Sequence, residues 1–360
     1  MKLPVAKKIN FEKYEPGLSL FNNKKAKIKL SANESALGPS PKAVKEYIKA
    51  AKIFSRYPDS DGKKLKQVLS KKFKIKSSRI ILGSGSDQIF ELICKTFIKK
   101  NDEIIVPKYS FIVYRIYGKI NGAKIIYANE KNFTASIDNV LLCVTKRTKI
   151  VFLANPNNPT GTYINKNDIV LLRKKLRSDI LLVIDDAYFE YVKKNNYQSG
   201  LSLFSKSKNV IVTRTFSKIY GLAGLRIGWG YASKNIINSL NLIKPPFNIN
   251  NPALFTACAA TIDVSWLKKE IQHVNKWRNI LFKSFKEMKI NTNKGNTNFI
   301  LINFNRVRIN SINVFKKLAK NGILVRKMEI YKIKNSLRIT IGKTEENKKV
   351  LLNLKKILNV

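Results

Sequence analysis

The chain has 360 residues, with 69 Lys+Arg against 23 Asp+Glu and a formal net charge of +46. That length allows two domains with sizeable cores, and a hydrophobic content of 44% excludes a disordered or fibrous chain. The longest apolar runs are too short to span a bilayer, the N-terminus has no apolar signal core, and the cysteines (Cys94, Cys143, Cys258) are scattered and odd in number. A cytoplasmic protein with no membrane partner, no disulfide framework and no metal site is the expectation. The charge would attract any polyanion, but it is mostly lysine and runs the whole length of the chain. A specific nucleic-acid partner, which favours clustered charge, is therefore not expected.

Residues 1–45 carry several prolines and glycines, little periodicity and one short strand, "AKIKLSA". They read as an N-terminal arm joining a small domain. From 46 to 250, β-branched runs alternate with helical stretches, as in an α/β domain with a mostly parallel sheet covered by helices on both faces. The first run, "RIILGSG" (79–85), leads into a helix from Ser86. Next come "DEIIVPKY" (102–109), "AKIIYA" (123–128), "KIVFLANP" (149–156), "DILLVIDDAY" (179–188), "NVIVTRTF" (209–216) and "LRIGWGYA" (225–232), making seven strands in all. From 251 onward two helical stretches precede three strands, at 297–304, 322–327 and 336–342, which reads as a smaller α+β domain. The single histidine, His273, falls in a charged helical pattern and reads as exposed, so catalysis must lean on Lys, Asp, Tyr and Arg.

In open α/β sheets ligands bind beyond the carboxyl ends of the strands, and the unusual polar residues gather there. "GSGSDQ" (83–88) puts small residues at the start of a helix, where backbone N–H groups hold anions. By itself it is no more than an ordinary capped turn. "NPNNPTG" (155–161) holds Asn158 between two prolines. "VIDDAY" puts Asp185 at the end of an apolar strand, where a carboxylate needs a cation or a donor, with Tyr188 three residues on. "TFSK" ends the next strand on Lys218, followed by a close-packed "GLAGLR" that carries Arg226. A partly desolvated lysine near other cations has a lowered pKa and can act as nucleophile and base, while the arginine fork suits a phosphate. Taken together, these residues describe a ligand with a phosphate, a ring oxygen, a basic ring nitrogen and an aldehyde, which is pyridoxal 5'-phosphate.

The combination "NPNNPTG…DDAY…TFSKIYGLAGLRIGW" resembles the class II, fold-type I aminotransferases over nearly the whole chain. "YEPG", "KLSANESALGPSP", "RYPD" and "IKPPFNIN" narrow the resemblance to the histidinol-phosphate aminotransferase family. The resemblance implies a fold-type I pyridoxal-phosphate transferase that exchanges an amino group between histidinol phosphate and 2-oxoglutarate in histidine biosynthesis. The alternatives it leaves open are an aromatic amino-acid aminotransferase and a pyridoxal-dependent phosphothreonine decarboxylase. A basic nucleic-acid-binding protein on the same fold is a reading from another class, and it would have lost cofactor groups that this chain keeps.

By the same resemblance Lys218 bonds the cofactor and moves the proton, Asp185 pairs with the ring nitrogen, and Asn158 and Tyr188 hold the ring oxygen. Tyr109 stacks on the ring. Ser86, Asp87, Thr215, Ser217 and Arg226 take the phosphate. Tyr57 reaches the cofactor of a partner subunit, implying a homodimer. Arg338, Arg326, Tyr14, Asn33 and Asn158 serve the substrate. The chain departs from the family in having Asp186 in place of a glutamate, Gln88 in place of a glutamate, and no glycine near the end of 327–337. The placement of Arg326 depends on that last segment.

Overall fold

A computed structural model describes residues 14–360, so the first thirteen residues of the expected arm lie outside the described residues. After a hairpin of two-residue strands (Leu20–Phe21 with Lys24–Lys25), β1 (Ile28–Leu30) is followed by a helix at Pro41–Ala50, which shortens the arm by a few residues. Ser40 ends the arm because its hydroxyl accepts the N–H of Ala43 and Pro41 occupies the first helical turn.

Seven strands then build the central sheet: β2 (Ile80–Gly83), β3 (Glu103–Pro107), β4 (Lys124–Ala128), β5 (Thr148–Ala154), β6 (Leu181–Asp185), β7 (Val210–Thr215) and β8 (Gly228–Tyr231). Their order across the sheet is β2-β8-β7-β6-β5-β3-β4. Only β8 runs antiparallel to its neighbours. The continuous apolar runs follow from helices on both faces. Alternate residues feed two separate cores, with Ile104, Phe152, Val183 and Ile211 on one side and Ile105, Val151, Leu153, Leu182 and Val212 on the other.

The second sheet is β9 (Asn291–Thr292), β10 (Phe299–Asn303), β11 (Ile323–Lys327) and β12 (Ser336–Thr340), closed at its edge by β1 in the order β9-β10-β12-β11-β1. β1 pairs parallel with β11, so the arm is built into the small domain. Along the chain β8 and β9 are separated by the helices Lys234–Ile243, Asn251–Ile262 and Val264–Glu287. The helix Asn251–Ile262 differs from its expected place in the small domain. It packs on the helices Pro41–Ala50 and Lys63–Phe73, through buried small residues (Ala253, Ala257, Ala260) that let helices approach closely. The helix Val264–Glu287 packs along β10 and the C-terminal helix Thr344–Leu358. On it His273 is half-buried rather than exposed, with Nε2 2.9 Å from the carbonyl of Gly342. Among the described residues no helix is long and apolar enough to cross a membrane.

Candidate active site

The parallel strands β5, β6 and β7 end side by side, and the small sheet stands over them. A cavity of about 280 Å³ lies between the two. Ala154, Asp185 and Thr215 are strand ends at its floor, while Arg326 and Arg338, register partners on β11 and β12, come from above. Ser31, Ala32, Asn33 and Glu34, just after β1, form a side wall.

Lys218 is half-buried and its Nζ donates to the carbonyl of Ala32 at 3.3 Å. Burial, then the positive charges of Arg338 and Arg226, push its amine down to about 8 against the pull of Asp87 and Glu34. The Nζ stands 5.8 Å from the centre of the Tyr188 ring. Tyr188 is buried, its hydroxyl accepts from Asn33 Nδ2 at 3.0 Å, and burial holds its phenol well above the ordinary range. Asn33 adopts a left-handed conformation (φ 56°), fixed by its N–H to Thr340 Oγ1 at 3.0 Å and by Thr340 donating back to its Oδ1 at 3.2 Å.

Asp185 is 6% exposed. Its Oδ1 accepts from the N–H of Ala187 at 3.2 Å and from Thr213 at 3.3 Å, and its Oδ2 accepts from the hydroxyl of Tyr114 at 2.7 Å. Burial raises the carboxyl to about 7, with the neighbouring acids Asp186 and Asp87 adding to the rise and the Tyr114 and Ala187 hydrogen bonds opposing it. Asn158 is buried and accepts from Arg338. Arg338 also donates to the carbonyl of Ser31 at 3.1 Å and lies 5.0 Å from the centre of the Phe299 ring. Its buried Nε has no partner among the described residues. Arg326 lines the same cavity, donating to the carbonyl of Glu15, so the segment without glycine still delivers it there. Tyr14 joins this wall.

The opposite end is made of loops. Ser86 and Asp87 open the helix Ser86–Phe97. Thr215 Oγ1 accepts the N–H of Ser217 at 3.1 Å, and Arg226 reaches Ser217 Oγ at 3.3 Å and Asp87 Oδ2 at 3.5 Å. Close approach here requires glycine. A Cβ on Gly85, whose φ is +81°, would sit 2.4 Å from the Arg226 guanidinium, and one on Gly228 would sit 2.5 Å from the N–H nitrogen of Ser86.

Two of the expected residues are not in the cavity wall. Tyr57 is 81% exposed and stacks on Phe247, with ring centres 4.5 Å apart. Tyr109 turns its ring onto Phe133 at 5.5 Å, because its N–H is held by Glu130 Oε1 at 2.9 Å and its carbonyl by Asn157. Phe111, two residues on, takes the place in the wall. The departures from the family also find partners. Asp186 accepts from the N–H groups of Gly200 and Leu201 and pairs with Arg214 at 3.5 Å. Gln88 Oε1 accepts from the N–H of Ser84 at 2.8 Å and from Asn248 at 2.7 Å. The residues that sequence reasoning missed are Phe111, Tyr114 and Tyr331. The first two had a faint signal: an aromatic at every second or third position from Tyr109 to Tyr114.

The family model described as aminotransferase class I and II matches residues 25–354. The chain is 48% identical to the histidinol-phosphate aminotransferase of Pelagibacter ubique (strain HTCC1062), over 100% of both chains. It is 40% identical to that of Rhodopseudomonas palustris (strain TIE-1), over 96% of this chain and 93% of the relative. In fold it is similar to the crystal structure of histidinol-phosphate aminotransferase from Sinorhizobium meliloti in complex with pyridoxal-5'-phosphate. That match has a TM-score of 0.87 at 22% identity and covers 93% of this chain and 92% of the other. It is also similar to Thermus thermophilus aspartate aminotransferase in complex with maleate (TM-score 0.81, 17% identity, 91% and 90% covered). With a lysine, a buried acid and two arginines converging on one cavity, and relatives matching from end to end, the chain belongs to the class I and II aminotransferases, within the histidinol-phosphate aminotransferase family.

Proposed function

We propose that this enzyme transfers the amino group of histidinol phosphate to 2-oxoglutarate, giving imidazole-acetol phosphate and glutamate in histidine biosynthesis, with pyridoxal 5'-phosphate as cofactor. The observation that carries the reading is Lys218, an amine lowered to about 8 that faces a cavity with a buried carboxylate at one side and arginines at the other. The site fits the cofactor. Asp185 is a buried carboxylate outside every ion pair among the described residues, and the backbone at Gly85 and Gly228 is bare where a phosphate must approach. When bound, the cofactor supplies an aldehyde that captures amines and a ring that draws electrons from the substrate's α-carbon.

The protein's own groups do the rest. Asp185 would hold the proton of the ring nitrogen, and Asn158 and Tyr188 would orient the ring oxygen. The backbone N–H groups of Ser86 and Asp87, with Thr215, Ser217 and Arg226, bind the phosphate. Phe111, which lines the cavity where Tyr109 does not, is the aromatic side chain that would meet the ring. The neutral amine of Lys218 would take the α-proton of the substrate and carry it on Nζ, a role suited to a base with a pKa near the working pH. Arg338, with its unpartnered Nε, binds the substrate's phosphate in one half-reaction and the carboxylate of the second substrate in the other. Arg326 assists, and Tyr14 and Asn33 shape the pocket.

Tyr57 belongs to the site of a partner subunit in this reading. Its exposure, stacked on the exposed Phe247, supports a homodimer that buries this face. Sedimentation of the purified protein should then give the mass of two chains. A cytoplasmic location accords with unpaired cysteines. The test of function is titration of the loaded enzyme with histidinol phosphate and, in parallel, phenylalanine, following the cofactor's visible absorbance. A response to histidinol phosphate at about tenfold lower concentration or less is expected. The reverse preference would move the enzyme to aromatic amino acids. Absence of a cofactor band would overturn the reading of Lys218.

A further inference from the structure

Tyr114 sits in the first turn of the helix Ile112–Ile120 and is fully buried. Three rings hold it. Phe152 lies parallel at 4.8 Å with an interplanar angle of 8°, Phe90 meets it edge-on at 4.9 Å, and Phe111 does so at 5.6 Å. Phe111 itself lines the cavity. A ring so enclosed has one place for its hydroxyl, and that place is Asp185 Oδ2, at 2.7 Å. The other carboxylate oxygen is held by Ala187 and Thr213. Each oxygen of a carboxylate has two acceptor positions, so a single donor on Oδ2 leaves one position for a ligand.

We propose that Tyr114 is a positioning residue of this site, whose hydroxyl aims Asp185 and keeps it an ionised acceptor for the cofactor's ring nitrogen. The inference rests on the cofactor reading above and deepens it. A phenol donating to a carboxylate favours the charged form. In this enclosure it offsets both burial and the neighbouring charges of Asp186 and Asp87, which disfavour a second negative group. The phenol keeps its proton, since burial and the Asp185 charge both hold it well above its ordinary range. It acts on the cofactor only through Asp185 and touches no reacting atom.

The alternative is that the hydroxyl is simply a buried polar group with a partner. The two differ in which ligand feels its loss. Tyr114→Phe keeps the ring and removes the donor. Dissociation constants are measured on the cofactor-free, full-length protein for pyridoxal 5'-phosphate and for its carbocyclic analogue, in which CH replaces the ring nitrogen. The expected result is about tenfold weaker binding of the cofactor and unchanged binding of the analogue. Equal affinity of parent and variant for the cofactor, or the same loss for both compounds, would overturn the proposal. A parent chain that binds neither compound overturns the cofactor reading itself, and this inference with it. If Tyr114→Phe does not fold, Thr213→Val removes the other side-chain donor to the same carboxylate. It should show the same selectivity with a smaller loss, and no selectivity there would equally sink the idea.

Discussion

At one end of the cavity the side chains of Arg226 and Asp87 remain 45% and 40% exposed, and the groups around them come from the start of the helix Ser86–Phe97 and the loop after β7. At the other end Asp185 and Arg338 are 6% and 4% exposed, and each is held by groups from distant parts of the chain. Tyr114 reaches Asp185 across 71 residues, and Arg338 reaches Asn158 across 180 and Ser31 across 307. The wet end resembles a surface anion site, made of backbone N–H groups and one cation in high dielectric. The dry end resembles a domain core in which every polar group must be matched, so that a missing partner costs far more. A single small ligand spanning both would be anchored by the first and tuned by the second.

Substitutions can break that contrast or sharpen it. The largest effect belongs to Lys218, which stands between the ends. Lys218→Ala should lower kcat for the reaction of histidinol phosphate with 2-oxoglutarate by about 10³-fold or more, read in steady-state assays. In the parent, activity limited by the neutral amine should rise with pH through about 8. At the dry end, Arg338→Lys keeps the charge but loses the planar fork that meets Asn158, Ser31 and the substrate anion. A fall in kcat/KM of about 10²-fold for both substrates is expected, with little dependence on salt. An equally conservative change at the wet end, Arg226→Lys, should weaken the cofactor by only about tenfold, and that loss should grow with ionic strength. If the two arginines responded alike to salt, the contrast would fail.

The smallest effect is one of stability. Burial raises Asp185 from 3.8 to about 7. Between those values the folded chain keeps a proton that the unfolded chain has released, so stability falls as pH rises through the window. Asp185→Asn removes that slope. Without cofactor the variant should be more stable than the parent by about 1–3 kcal/mol at pH 8, with the difference shrinking toward pH 4 in denaturant titrations, even though its activity is lost.

The same contrast explains what could be read from the sequence. Strands such as 181–185 and 210–215 stood out because both faces are covered, leaving unbroken apolar runs that end in polar residues. Ser86, Thr215, Ser217 and Arg226 were legible because each falls in a short run of small and polar residues at a strand end. Tyr114 was not, since nothing local marks a helical tyrosine whose partner is on a strand 71 residues away. Tyr109 shows the limit of a motif. Its place in "PKYSF" suggested a ring contact, but the Glu130 and Asn157 hydrogen bonds turn the loop so that Phe111 faces the cavity. The helix Asn251–Ile262 was recognisable as a helix, but an element rich in alanine on every side carries no stripe to say which neighbours it joins.

The pairing of β1 with β11 has a consequence for how the enzyme comes into being. Ile28 is the register partner of Ile323, so the small sheet joins residues that are far apart along the chain. As the chain emerges from the ribosome, the large sheet has all its strands once Tyr231 is out, while the arm still waits for its neighbour. Loop closure over almost 300 residues makes this the slow, late event of folding. The cavity wall at Ser31–Glu34 and the arginine opposite it, Arg338, therefore come together only after the 307 residues that separate Ser31 from Arg338 have been made. A nascent chain can hold a finished large sheet and still be unable to bind substrate.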